Sequence, residues 1–330
     1  MYSSYSSLQQ RQLAAQGYYD TQSTYLLVYA PGRSTALRAT LADQLHRKFR
    51  LADTLGSALT EGVDGVLLVS EDVECMSTAL MCFAKALQDG ADYAVCNAVF
   101  GFGGAAALYQ SRAHLAQNRC ALVSRPLLER CRAAAKDPEN VTELLALAAQ
   151  FCAHPARIPQ ALLHYERDIC AEDAFSATGK RAFLMSHVLD MTGAPIVLVS
   201  AVPVLRSMGY EVVVLGPSDG GALQLFVDAG AAVITRPGIR ATPNLWGLAR
   251  CTDLVLVNTV VMARTVRALS GTAVPVLWWL HDAFAGYPHI AHQIPTKLAE
   301  NVRLYSVGHH AANAMPAVRP AFQIGLLIDG

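Results

Sequence analysis

Residues 186–195, SHVLDMTGAP, set a polar loop of His, Asp, Thr and Gly between the apolar run AFLMSH and a helical run that opens with APIVLV. A loop of this kind at the carboxyl end of a strand is where α/β sheets take ligands, because the first amides of the next helix have no intrahelical partner. Gly193 lets a ligand approach the backbone or lets the chain turn tightly, and Pro195 suits a first helical turn, where its missing N–H costs nothing. A sugar or a phosphate is the chemistry such an edge would bind. The structural alternative is that Thr192 caps the helix and Gly193 turns the chain. With one glycine and no G-x-G-x-x-G, the loop disfavours a nicotinamide-dependent dehydrogenase.

The elements that position this loop follow from the hydrophobic pattern. Strand-like runs at 182–187, 210–216, 231–236, 253–259, 275–281 and 303–308 alternate with helical runs at 194–209, 223–230, 241–251, 260–271 and 295–302. This alternation predicts a doubly wound α/β domain over 182–330. Upstream, strands are expected at 25–30, 65–70, 93–100 and 157–166, with helices through 38–49, 77–90 and 141–153. The fold class predicted is α/β, two Rossmann-like domains. Residues 1–23, rich in Ser, Gln and Tyr without periodicity, read as a mobile leader before a domain at 24–170, and the polar stretch 171–181 reads as a linker.

A chain of 330 residues, 53% hydrophobic and 16% charged, can bury two cores. Lys and Arg number 26 and so do Asp and Glu, which argues against a dedicated nucleic-acid binder. The eight cysteines include no C-x-x-C pair, so buried free thiols in a reducing cytoplasm are expected rather than zinc or disulfides. The N-terminus lacks a signal-peptide pattern and no run is long enough to span a membrane, so a cytoplasmic location is expected.

Residues 181–330 resemble the N-terminal domain of family 4 glycosyltransferases, which have the GT-B architecture. The resemblance lies in FLMSHVLDMTGAPIVLVSAVPVLRSMGYEVVVLGPSDGG, DLVLVNTVV, PVLWWLHDAF and the closing GLLIDG. It implies an acceptor-holding half of a GT-B fold, with the donor-binding domain that would follow GLLIDG absent from this chain. Carried over by position, His187, Thr192 and Gly193 border the donor phosphate or the acceptor. His281 and Asp282 lie by the reacting hydroxyl as the catalytic pair, the His of near-neutral pKa orienting or deprotonating it and the Asp holding the tautomer. The structural alternative makes His281 a hydrogen-bonded packing residue. Asn258 and Thr259 supply polar contacts or cap the next helix, and His309, with His310, is a weaker candidate of the same kind as His281.

Residues 25–166 more faintly resemble a reduced family 2 glycosyltransferase of the GT-A type, in YLLVYAPGRSTALRATL, ADTLGSALTEGVDGVLLVSEDVE and VTELLALAAQFCAHPARIPQALLHYE. That fold implies a divalent metal, Mn or Mg, held by a D-x-D, which here reads Ser70-Glu71-Asp72. Asp72 and Glu74 are the metal candidates, and a solvated acidic loop is the alternative. Ala30 and Pro31 stand where a nucleotide-contacting Asp is expected, and Glu143 is the acid nearest the usual general-base position, so the domain reads as degenerate.

The two resemblances together imply a glycosyltransferase, or a fragment of one, moving a sugar from a nucleotide sugar to a glycan acceptor in cell-surface polysaccharide assembly. Displacement at the anomeric carbon would retain configuration if the family 4 half is live and invert it if the family 2 half is. A lipid-linked acceptor would bring peripheral membrane association, and a partner transferase domain would complete the site. The competing expectation is a non-catalytic acceptor-binding or assembly module.

Overall fold

The computed structural model describes residues 18–32, 35–56, 59, 62–101, 106–109, 119–175, 179–237 and 243–326. The chain divides into two compact units, Met1–Asp168 and Ile169–Gly330.

The first unit contains β1 (Leu26–Tyr29), α1 (Thr35–Leu41), β2 (Phe49–Ala52), β3 (Gly65–Val69), β4 (Glu74–Cys75), α2 (Ala79–Gln88), β5 (Tyr93–Phe100) and β6 (Ala106–Tyr109). They are followed by β7 (Cys120–Ser124), α3 (Arg125–Ala134), α4 (Val141–Phe151) and β8 (Pro155–Tyr165). β1 lies parallel between β2 and β3, β7 runs antiparallel to β3 and β5, and β8 is parallel to β5. β4 and β6 add short antiparallel pairings to β8 and β5. β1 and β3 are buried along their whole length, the mark of strands covered on both faces. Ser124 and Asn140 cap α3 and α4 by accepting from the Leu127 and Glu143 amides.

Two expectations change here. The helix through 38–49 stops at Leu41, because Gln44 and His46 turn inward and bond away from the helix. Gln44 Nε2 donates to the Met76 carbonyl at 2.8 Å and Gln44 Oε1 accepts from the Leu80 amide at 3.1 Å, while His46 lies against Thr21 and the Lys48 carbonyl. Of the leader, residues 1–17 lie outside the described residues, whereas Tyr18–Ser23 form a 3₁₀ helix with Thr21 buried.

The second unit opens with α5 (Ala171–Ala174), inside the stretch read as a linker, where Asp173 and Phe175 are buried. It continues with β9 (Lys180–Met185), α6 (Gly193–Ser207), β10 (Tyr210–Gly216), α7 (Leu223–Asp228), β11 (Ala232–Thr235), α8 (Pro243–Arg250) and β12 (Leu254–Asn258). The last elements are α9 (Ala263–Leu269), β13 (Val276–Leu280), α10 (Tyr287–Ile290), β14 (Val302–Ser306), α11 (His309–Ala314) and β15 (Gly325–Leu326). The strands are all parallel, in the order β15-β14-β13-β12-β9-β10-β11. Counted from the first strand of the unit, this is the doubly wound 3-2-1-4-5-6 order with one further strand, and the order reverses between β9 and β12. Ala182 to Met185 and Val212 to Leu215 are fully buried, as strands sandwiched between helices must be. α6 ends where Gly209 takes a positive φ of 83°.

No helix forms over 295–302, against expectation. Arg319 takes up the carbonyls of Ala291, Ile294 and Pro295, and Asn301 bonds Leu269, Gly271 and Val274, so the segment is held in bends and turns by bonds to other parts of the unit. Residues 327–330 of GLLIDG lie outside the described residues. Among the described residues no helix is long and apolar enough to cross a membrane.

Candidate functional site

The reversal of strand order between β9 and β12 leaves a crevice at the carboxyl edge of the second unit's sheet, and most of the expected site residues meet there. His187 follows β9, Asn258 ends β12 and Thr259 follows it, and His281 and Asp282 follow β13. Asn258, fully buried, donates from Nδ2 to the Ala194 carbonyl at 3.0 Å, which ties the end of β12 to the first turn of α6. Thr192 occupies the N-cap position of α6 without a side-chain cap bond, and both Thr192 and Gly193 are exposed. A Cβ on Gly193 would meet nothing within 4 Å, so no protein atom requires a glycine there.

The loop is held from below by a second loop. Gly220 lies so close that a Cβ would fall 2.3 Å from the Leu189 carbonyl oxygen, and that oxygen accepts from the Ala222 amide at 2.8 Å. Leu189 is buried against Gly216, and Ser186 turns the chain by donating to the Val188 carbonyl at 2.6 Å.

Thr259 carries φ 70° and ψ 158°, a region essentially reserved for glycine, at a cost of about 1–3 kcal/mol. The strained turn is held by three hydrogen bonds, two to β13 and one to Asp282 beyond its end. Trp278 Nε1 donates to the Thr259 carbonyl at 2.8 Å, the Thr259 amide donates to the Trp279 carbonyl at 2.8 Å, and the Val260 amide donates to Asp282 Oδ2 at 2.6 Å. Thr259 Oγ1 faces His187 Nδ1 at 3.4 Å. Asp282 therefore holds the 259–260 turn, in place of the tautomer-holding role expected beside His281.

His281 also differs from expectation. Burial, reinforced by the nearby His187, pushes its pKa down to about 4, so the ring is neutral at neutral pH and a weak base rather than one of near-neutral pKa. Its ring lies 4.9 Å from that of Trp279. Burial raises the Asp282 carboxyl, and burial together with the Asp282 charge raises the Tyr287 phenol. Four buried polar atoms here have no hydrogen-bond partner among the described residues: Asn258 Oδ1, Trp279 Nε1, His281 Nε2 and Tyr287 OH. An orphaned buried polar group costs about 1–3 kcal/mol, and other such atoms lie elsewhere, as at Thr265 Oγ1 in the same unit and Thr78 Oγ1 in the first.

His309 begins α11 after β14, exposed on the same edge, and among the described residues no hydrogen bond joins it to the others. Trp278, Trp279 and Tyr287 are additions to the site; for the two tryptophans the signal available was their place next to the end of β13, where alternation sends them to opposite faces. In the first unit Glu143 bonds the amides of Lys136 and Asp137, an anchoring role for the acid nearest the expected base position. There Glu71 pairs with Arg167, and Glu74 with His164.

Residues 178–313 match the family model described as glycosyl-transferase family 4, which covers β9 through most of α11 and the whole crevice. Over this span the second unit is similar to that family. A solved alpha-glucosyltransferase, in complex with UDP-glucose and DNA containing an abasic site, is similar over 45% of this chain at 12% identity and a TM-score of 0.32. The chain spans 42% of that protein's length. No curated protein matches the chain.

Proposed function

We propose that the carboxyl edge of the second unit holds the hydroxyl-bearing acceptor of a glycosyl transfer, the donor being a nucleotide sugar and the setting the assembly of a cell-surface polysaccharide. The observation that carries this reading is the set of orphaned polar atoms on Asn258, Trp279, His281 and Tyr287, within the region that matches the family 4 model. An amide oxygen, an indole N–H, a neutral imidazole and a phenol suit uncharged hydroxyls, which both donate and accept. A neutral His281 orients an acceptor hydroxyl by hydrogen bonding, and its low basicity makes it a poor proton acceptor before the anomeric bond breaks. Thr192 and Gly193, at the open N-terminus of α6, and His187 would face the donor phosphate or the acceptor. Exposed apolar side chains at Met191, Ile196, Val204 and Met208 along the same loop and helix would suit an acceptor carried on a lipid.

Calorimetric titration of the full chain with neutral oligosaccharides and with a panel of nucleotide sugars, with and without manganese, tests the reading. Oligosaccharide heat is expected, and it should vanish in His281→Phe, which keeps the ring volume and removes the orphaned nitrogen. Undiminished heat in that variant would refute the assignment. A second reading, a non-catalytic acceptor-binding or assembly module, is favoured by the first unit, where Ala30 and Pro31 stand at the expected nucleotide contact and Glu71 and Glu74 are paired within the chain. Acceptor heat without nucleotide-sugar heat is its signature.

A further inference from the structure

The carboxyl edge of the first unit carries Glu71, Asp72 and Glu74, the run that the family 2 resemblance makes a metal site, and the residues do not fit one. Glu71 Oε1 accepts from Arg167 Nη2 at 2.6 Å. The Arg167 guanidinium also lies over the rings of Phe100 and Tyr165, at 5.2 and 5.4 Å, and those two rings stack at 4.9 Å. Glu74 Oε2 contacts His164 Nδ1 at 2.7 Å, and the other ring nitrogen of His164 faces the Gly101 carbonyl at 2.9 Å. Ser70, at the first position of the triplet, donates to the Arg119 carbonyl at 2.9 Å. Among the described residues no three His, Cys, Asp or Glu side chains are grouped to hold a metal.

A divalent cation needs several oxygens converging on one point, and Glu71 and Glu74 are turned to different partners. Drawing Glu71 away would break the ion pair it makes with a half-buried guanidinium, which opposes metal entry. Glu71 follows β3, Phe100 ends β5, and Tyr165 ends β8, so one guanidinium touches all three strand ends. Arg suits the place because its flat face stacks on aromatic rings while its edge bonds a carboxylate.

We infer that Arg167 is the resident cation of this edge, standing where a divalent metal would stand and joining the ends of β3, β5 and β8. The first unit then takes no Mn²⁺ or Mg²⁺ at 71–74, and any nucleotide sugar that binds this chain binds without a metal there.

Manganese alone, titrated into the full chain by calorimetry, is the test. The wild type should give no saturable heat up to roughly 1 mM, a range that would reveal an ordinary carboxylate site. Arg167→Ala frees Glu71 beside Asp72 and should tighten manganese binding at least roughly tenfold, while Arg167→Lys, which keeps the charge, should not. Saturable wild-type binding that Asp72→Asn or Glu74→Gln abolishes would overturn the inference, and so would a folded Arg167→Ala chain that stays blind to manganese. Wild-type binding that survives both carboxylate substitutions lies elsewhere and supports it. Should Arg167→Ala fail to fold, the wild-type titration with those two substitutions still decides.

Discussion

At the scale of single residues, His281 is where environment most changes chemistry. A histidine at a strand end reads as a group titrating near neutrality, yet burial beside Trp279 and the proximity of His187 hold its pKa down to about 4. The unfolded chain, with an ordinary value of 6.5, takes up a proton that the folded chain refuses between those two limits. Stability tied to this residue is therefore complete above pH 6.5 and is lost as the pH falls towards 4. A tenfold difference in proton affinity between the folded and unfolded chain is worth about 1.4 kcal/mol, so the loss is at most on the order of 3 kcal/mol. Urea denaturation of the wild type and of His281→Gln at pH 7 and near pH 4.5 should show the wild type losing more on acidification. Equal losses would mean that the ring is solvated. A pH dependence of this sign also separates a hydrogen-bonding His281 from a catalytic base, whose usefulness would rise with a pKa closer to neutral.

Between elements, the crevice depends on two loops held at fixed height, and two glycines distinguish support from access. Gly220 has no room for a methyl group because the Leu189 carbonyl occupies that space, whereas Gly193 has open space before it. Gly220→Ala should cost roughly 1–3 kcal/mol, the usual penalty of overpacking where backbone must move. Hydrogen exchange at the Ala222 amide, which bonds Leu189, should accelerate with it. Gly193→Ala should leave stability almost unchanged while weakening ligand binding, and an unaffected ligand would reduce Gly193 to a helix-start residue. The strands behind this geometry were legible in the sequence because parallel strands covered on both faces leave unbroken apolar runs such as AFLM and VVVL. Their ends also located His187, Asn258, Thr259 and His281. The partners of those residues were not legible, since Asp282 meets Val260 and Glu71 meets Arg167 across 22 and 96 residues of chain. The helix expected at 38–49 ends early at Leu41 and the one at 295–302 does not form for the same reason, as Gln44 and Arg319 form bonds that no local pattern announces.

Across the whole molecule, each unit buries apolar strands of its own, and the cysteines report on the two differently. Cys75, Cys82, Cys96, Cys120 and Cys131 are all buried in the first unit, with Cys152 half-buried there, while Cys170 and Cys251 of the second are exposed. Exposure alone would make the last two equally reactive, yet Cys170 Sγ lies 3.1 Å from Asp173 Oδ2. Burial of its sulfur and the carboxylates of Glu172 and Asp173 push the Cys170 thiol up to about 12. Only the thiolate attacks a disulfide reagent, so at pH 8 roughly one Cys170 in ten thousand is in reactive form. Treating the native chain with an aromatic disulfide reagent at pH 8 should therefore modify Cys251 first, with Cys170 and Cys152 following slowly. The five buried thiols should react at the rate at which the first unit opens, and all eight together in denaturant. Asp173→Asn should speed Cys170 without touching the buried five, because it removes a charge from one thiol and nothing from the first unit's core. Rapid modification of more than the three accessible thiols in the native chain would show that the first unit does not close over its sheet as described.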